Sequence, residues 1–160
     1  MNDFLKSVFQ LCKGTNVIAG VALTVMMGIT VTDVILRTFG KPIPGAFELV
    51  ALTGAVVAGF AVPFTSWGRG HIYVDVLIQK LPAPLRKTVN LVTRCLGTAL
   101  FGMTGYNLLI MGRDLHRSGE VSPTMQIPFY PVVYAIGICC FVECLVLVGD
   151  IVKIARGEYE

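Results

Sequence analysis

Four long apolar stretches constrain the fold of this 160-residue chain more than any other feature of its sequence. They cover approximately residues 16–36, 47–67, 89–111 and 130–152. Each is close to the roughly 20 residues that an α-helix needs to cross ~30 Å of hydrocarbon. A soluble chain of this size has too little interior to bury four such helices. The sequence therefore predicts an all-α integral membrane protein with four transmembrane helices.

The composition agrees with this fold. Hydrophobic residues make up 54% of the chain and charged residues 14%, whereas a soluble domain is roughly a quarter charged. No polar stretch is long enough for a second domain, so we expect residues 1–160 to form a single membrane domain. The basic residues do not form a patch with aromatic side chains between them, which makes nucleic acid an improbable partner.

The positions of the basic residues predict the orientation in the membrane, because short cytoplasmic loops carry an excess of Lys and Arg. One predicted side has Lys6, Lys13, Arg69, Lys80, Arg86, Lys87, Arg94, Lys153 and Arg156. The opposite side has Arg37, Lys41, Arg113 and Arg117. Both termini and the middle loop are therefore predicted to be cytoplasmic.

The middle loop contains a further apolar segment. Residues 71–81 (HIYVDVLIQKL) are mostly apolar and are followed by Pro82. We predict a short amphipathic helix that lies in the cytoplasmic interface, with Lys and Asp toward the phospholipid headgroups. A strand is the alternative, because β-branched residues are frequent, but an unpaired strand edge is costly near lipid.

Small residues recur in the second and third apolar stretches, as Gly54 and Gly59 and then as Gly97, Gly102 and Gly105. Such spacing lets membrane helices approach closely. It fits either packing within one bundle or a docking face for another membrane subunit, and spacing alone does not separate these readings.

Charged residues inside the predicted spans need a partner or a function, because they are costly in lipid. Asp33 and Arg37 have the spacing of an ion pair on one helix face. Glu48 begins the second helix, where an acid meets the positive end of the helix dipole. We expect structural roles for these three residues.

The fourth stretch contains the most deeply placed acid, Glu143, and Asp150 follows on the same helix face. Arg94 enters the third helix from the same side. We predict that Arg94 pairs with Glu143 or Asp150 across two adjacent helices. The alternative is that Glu143 is a proton-coupling or ion-coupling carboxylate.

The sequence offers no candidate catalytic residue, cofactor or metal. His71 and His116 fall on opposite predicted sides of the membrane, so they cannot share one metal or haem. The five cysteines form no CxxC pair and no His/Cys metal spacing. Most of them lie in apolar stretches, where cysteine acts as a small hydrophobic residue.

Three loop motifs together resemble the small membrane subunit of tripartite ATP-independent periplasmic (TRAP) transporters. They are residues 36–44 (LRTFGKPIP) with Glu48 after them, residues 70–77 (GHIYVDVL), and residues 122–130 (SPTMQIPFY). One motif lies between each pair of consecutive helices, so the resemblance extends over most of the chain.

The resemblance implies partners. A periplasmic substrate-binding protein would deliver an organic acid, such as a C4-dicarboxylate or sialic acid. A large permease subunit would carry it across the bacterial inner membrane, driven by a sodium gradient. The small subunit would be a scaffold beside the large one. The resemblance places the structural or interface residues at Arg37, Pro42, Pro44, Glu48, His71, Ile72, Val74, Asp75, Pro123 and Pro128. The outer basic residues Arg37, Lys41, Arg113 and Arg117 would be placed to contact the periplasmic protein.

Two other classes of membrane protein are alternatives to a TRAP transporter subunit. A self-sufficient, proton-coupled exporter built from four-helix subunits would place an essential acid inside its first helix, whereas Asp33 lies near the outer end of that helix. A membrane enzyme would need the converging catalytic residues that the sequence lacks.

Overall fold

The structure is a computed structural model that describes residues 3–68 and 83–156, and it places four α-helices in these ranges. They are α1 (Asp3–Thr38), α2 (Ala46–Trp67), α3 (Ala83–Ser118) and α4 (Tyr130–Arg156). All four are long and apolar enough to cross a membrane. The predicted fold of four transmembrane helices is thus confirmed. The predicted interfacial helix 71–81, with His71, Ile72, Val74 and Asp75, lies outside the described residues.

Two of the helices are longer than their apolar stretches. α1 and α3 each contain 36 residues, about 54 Å at 1.5 Å per residue, whereas the predicted spans were 16–36 and 89–111. Those ranges were predicted as membrane spans, and the helices extend beyond them because polar residues do not stop a helix. α1 and α3 continue until Gly40 (φ 71°) and Gly119 (φ 67°) provide the left-handed conformation that ends them.

The end of α1 at Thr38 shows how this termination works, and we call the end of the bundle where it lies the outer end. The amide of Lys41 donates to the Leu36 carbonyl over 3.0 Å, and the amide of Gly40 donates to the Arg37 carbonyl over 3.1 Å. This pair of bonds around a left-handed glycine is the Schellman motif. It turns the chain sharply toward Pro42 and the start of α2.

α4 is the central helix of the bundle. α1 packs against α2, α2 against α4 and α4 against α3, with a smaller contact between α1 and α4. Of the most apolar 18-residue window of α4, 39% is buried, compared with 6–11% for the other three helices. The contacts that α4 makes with the other helices are therefore the first place to look for functional residues.

α2 and α4 run parallel with a constant register. A Cβ atom on Gly59 would lie only 2.9 Å from Cγ1 of Ile136, and one heptad further along Ser66 contacts Glu143. This spacing of seven residues on both helices is the pattern of knobs-into-holes packing.

α3 and α4 run antiparallel and approach closely at glycines. A Cβ on Gly105 would lie 3.3 Å from the carbonyl oxygen of Gly137, and one on Gly112 would lie 3.0 Å from the ring of Tyr134. The nearest atom to a Cβ on Gly97 would be Cδ1 of Leu147, at 3.3 Å. Of the two readings of the small residues, these contacts favour packing within the bundle.

Candidate functional site

A buried hydrogen bond joins α2 to α4 toward the end of the bundle where α1 begins. The Ser66 hydroxyl lies 2.5 Å from Oε1 of Glu143, and both residues are almost fully buried. Next to this pair, an apolar cluster of Val8, Cys12 and Val146 is packed against Trp67. Glu143 is thus held inside the protein and does not face lipid.

A buried ion pair joins α3 to α4 on the same side. Nη2 of Arg94 lies 3.5 Å from Oδ2 of Asp150, and both side chains are less than 10% exposed. Of the two partners that the sequence allowed for Arg94, the structure places Asp150 within ion-pair distance. Glu143 and Asp150 lie on the same face of α4, seven residues apart, so one helix face carries both polar links. We call Ser66, Arg94, Glu143 and Asp150 the inner polar cluster.

Ser66 was not predicted from the sequence as a partner of Glu143. A signal was present, because Gly59 and Ser66 are seven residues apart and therefore lie on one face of α2. Small residues at that spacing mark the face that packs against α4. Oε2 of Glu143 makes no hydrogen bond within the residues that the structure describes. The coupling role considered for Glu143 stays a prediction.

Asp33 stabilises the outer turn between α1 and α2. Its Oδ2 accepts a hydrogen bond from Nη2 of Arg37 over 2.7 Å, at the spacing that the sequence indicated. Its Oδ1 accepts a bond from the backbone amide of Ile43 over 2.9 Å. One carboxylate therefore fixes both the end of α1 and the proline-containing turn that follows it.

Glu48, which follows the loop motif 36–44, connects it to the loop motif 122–130. Its Oε1 accepts a hydrogen bond from the amide of Thr124 over 2.8 Å, and its Oε2 accepts one from the amide of Met125 over 3.0 Å. The start of α2 is thereby tied to the loop before α4. Glu48 also lies in the first turn of α2, where an acid meets the positive end of the helix dipole, so one carboxylate both faces this helix end and bonds to the distant loop.

The loop before α4 is shaped to meet Glu48. The buried Ser122 accepts a hydrogen bond from the Gln126 amide at its carbonyl and one from the Ile127 amide at its hydroxyl. Met125 then reaches Gly45, where an added Cβ would lie 2.5 Å from Cγ of Met125. Gly45 also has φ 73°, a conformation that favours glycine. Both observations explain why glycine precedes α2.

The Glu48 contact gives a testable prediction. In Glu48→Ala, the amides of Thr124 and Met125 lose their acceptors, so we expect their hydrogen exchange to accelerate severalfold in detergent or nanodiscs. Mass spectrometry of the peptide that covers residues 120–129 measures this. Glu120→Gln, which changes an exposed acid of the same loop, is the matched control and should leave exchange unchanged. Equal exchange in Glu48→Ala and the original chain would contradict the role of Glu48.

The remaining predicted outer residues lie on the surface. The basic residues Arg37, Lys41, Arg113 and Arg117 are all exposed, as are Pro42, Pro44 and Pro123. Pro128 is partly buried, where the ends of the loop form a bridge between Val121 and Pro128. The four basic side chains are therefore accessible to a partner on this side.

The structure offers no centre for metal chemistry in the residues that it describes. Within 3–68 and 83–156, no three His, Cys, Asp or Glu side chains converge as metal ligands. All five cysteines are free thiols. His116 packs edge-on against the ring of Tyr130, with 4.6 Å between the ring centroids.

Comparison with known protein families gives a match over most of the chain. The family model described as "Tripartite ATP-independent periplasmic transporters, DctQ component" matches residues 26–157. Neither a curated relative nor a solved structure matches the chain at a significant level. The matched range contains all four residues of the inner polar cluster as well as Asp33 and Glu48.

Proposed function

Because the chain belongs to the DctQ family, the small permease component of TRAP transporters, we propose that it is the stationary scaffold of such a transporter. This family is a transporter component and not an enzyme. The large permease would move substrate, while this multi-pass membrane protein holds the immobile part of that subunit in position.

The observation that carries this proposal is that polar contacts link the helices at both ends of the bundle. On the outer side, Glu48 ties α2 to the loop before α4. On the other side, the inner polar cluster ties α4 to α2 and α3. Packed cores resist continuous deformation, and a bundle linked at both ends is suited to act as a fixed reference for a moving subunit.

We also propose a substrate class and an orientation in the membrane. We expect sodium-driven uptake of an organic acid, such as a C4-dicarboxylate or sialic acid, which a periplasmic binding protein delivers. The chain would lie in the bacterial inner membrane with both termini and the middle loop in the cytoplasm. The middle-loop residues His71, Ile72, Val74 and Asp75 would brace the cytoplasmic rim and the phospholipid surface.

Reconstitution tests this function. The tagged chain is co-expressed with the large permease of the same transporter, purified, and placed in liposomes with the binding protein outside. We expect the two membrane subunits to purify together and uptake to require both of them and an inward sodium gradient. Uptake that persists without this chain would overturn the scaffold role. Transport by this chain alone would instead favour the exporter.

The same liposomes test whether the outer basic residues contact the binding protein. Neutralising Arg37, Lys41, Arg113 and Arg117 together should reduce uptake most at low ionic strength. At high salt, charge interactions of the original chain are already screened, so the two proteins should converge. Equal uptake at every ionic strength would contradict this contact.

A further inference from the structure

The outer half of α3 presents two different faces. The face of Gly105 and Gly112 packs against α4. A second face, roughly 100° further round the helix at 3.6 residues per turn, lines an open groove of about 630 Å³. We call the residues that define this face the outer α3 stripe: Thr104, Asn107, Met111, Asp114, Leu115 and Ser118.

The groove continues from the outer α3 stripe across α4 to α2. Met111 and Leu115 also line a second, mostly apolar groove of about 290 Å³, together with Leu52 and Ala55 of α2. Its floor includes Ile136 of α4. α2 and α3 both pack against α4 and leave this space between them, so the two grooves form one surface along the bundle.

The residues of the outer α3 stripe lie along one line of the helix, a surface against which a second α-helix can pack lengthwise. Thr104, Met111 and Ser118 recur at seven-residue intervals, and Leu115 lies four residues after Met111. Seams with alternating steps of three and four residues are those along which one helix packs lengthwise against another.

Polar groups in the stripe favour protein over lipid as the occupant. Asn107 is exposed on the surface of α3 and lies six residues before Arg113, about 9 Å along the helix. Its Nδ2 donates to the Met103 carbonyl over 2.8 Å. The amide also offers a second N–H and an oxygen that can bond to another chain. Amide side chains in membrane helices typically bond to a neighbouring helix.

The outer end of the groove is acidic. Asp114 and Glu120 both line it and are exposed, whereas the exposed Arg113 and Arg117 of the same helix end lie outside its lining, so the groove itself favours a cationic group over an anionic phospholipid headgroup. A comparable groove on α1 has three polar residues. Ser7 and Gln10 lie near the start of that helix, and the Thr15 hydroxyl donates to the Cys12 carbonyl over 2.9 Å. The groove beside α3 is therefore the stronger candidate for a protein partner.

We propose that the outer α3 stripe is the docking surface for a transmembrane helix of the large permease, which lies between α2 and α3 and hydrogen-bonds to Asn107. A basic residue at the outer end of that helix would face Asp114 and Glu120. This inference rests on the proposed function, and it specifies the surface through which the scaffold holds its partner.

Site-specific photo-crosslinking of the co-expressed complex tests the surface. The photoreactive residue p-benzoylphenylalanine replaces Asn107 in one variant and its neighbour Tyr106 in the control. Tyr106 is 62% exposed, lies at nearly the same depth and points roughly 100° away from Asn107 around α3. We expect an adduct with the large permease from position 107 and at least tenfold less from position 106.

The other outcomes separate failure of the proposed function from failure of the docking inference. If the original chain recovers no large permease, the proposed function fails. If the permease is recovered but position 107 gives only lipid adducts, adducts with a second copy of this chain, or no more permease adduct than position 106, the docking inference alone is overturned.

A second measurement avoids the photoreactive residue. In Asn107→Leu, we expect the apparent affinity for the large permease to fall about three- to tenfold, the range of hydrogen bonds between membrane helices. Tyr106→Leu should leave this affinity unchanged. Equal binding by both variants would also overturn the inference.

Discussion

Arg94→Leu is expected to destabilise the bundle by about 3–5 kcal/mol, because it removes the guanidinium that lies beside the buried Asp150 carboxylate. Arg94 and Asp150 are 7% and 5% exposed, so solvent ions screen their interaction far less than they screen a surface pair. Unfolding in detergent can be followed by the fluorescence of Trp67, the single tryptophan of the chain. This residue packs near the inner polar cluster.

A double-mutant cycle separates the ion pair from other effects of losing Arg94. Asp150→Leu alone should also destabilise, since it leaves the guanidinium buried. The double variant with Arg94→Leu and Asp150→Leu should recover most of the stability, because an apolar pair of similar volume often replaces a buried ion pair at little cost. Arg113→Leu, which removes an exposed arginine from the same helix, is the control. Additive losses in the double variant would show that the two charges are not coupled.

The four crossings could be predicted from the sequence because lipid imposes a simple length requirement. A stretch of about 20 apolar residues satisfies it whatever its neighbours are. The apolar nature of lipid also prevents the arrangement of the helices from being predicted from the sequence. Lipid is as apolar as Leu, so the lipid-facing and buried sides of a membrane helix need not differ in hydrophobicity. That α4 lies between α2 and α3 could not be deduced from any amphipathic pattern.

Polar residues inside the spans were the better guide to the site. Arg94, Glu143 and Asp150 stood out because charges in lipid demand partners, and the structure places Arg94 beside Asp150. The partner of Glu143 was missed because Ser66 is common and uncharged. It becomes significant only once the parallel register of α2 and α4 is known, and no local signal fixes that register.

The outer loops illustrate a second limit. The sequence marked Glu48 and residues 122–130 separately, but their connection is a contact between positions 76 and 77 residues apart. Nothing local predicts that the Glu48 carboxylate meets the amides of Thr124 and Met125. The resemblance identified both segments, and the structure supplied the physical reason for their importance to each other.

Gly105→Leu is expected to separate α3 from α4 and so to disrupt the bundle at its centre. A Cβ added at Gly105 would lie 3.2 Å from Cβ of Cys140 and 3.3 Å from the Gly137 carbonyl oxygen. Both positions are on or next to the α4 backbone, so a rotamer change cannot make room for leucine. We expect destabilisation at or above the upper end of the ~1–3 kcal/mol typical of overpacking. Because Arg94 reaches Asp150 across the same helix pair, the ion pair should weaken too.

The native thiols report this separation directly. Cys139 and Cys140 are 3% and 9% exposed, whereas Cys95 lies on the surface of α3. In the original chain, a maleimide should modify Cys95 much faster than Cys139 and Cys140. In Gly105→Leu, these two buried thiols should become reactive under the same conditions, as mass spectrometry of the labelled peptides would show. Gly28→Leu is the matched control, because a Cβ on Gly28 meets no atom of the described chain within 4 Å. If both variants left Cys139 and Cys140 protected, the close contact of α3 with α4 at Gly105 would be refuted.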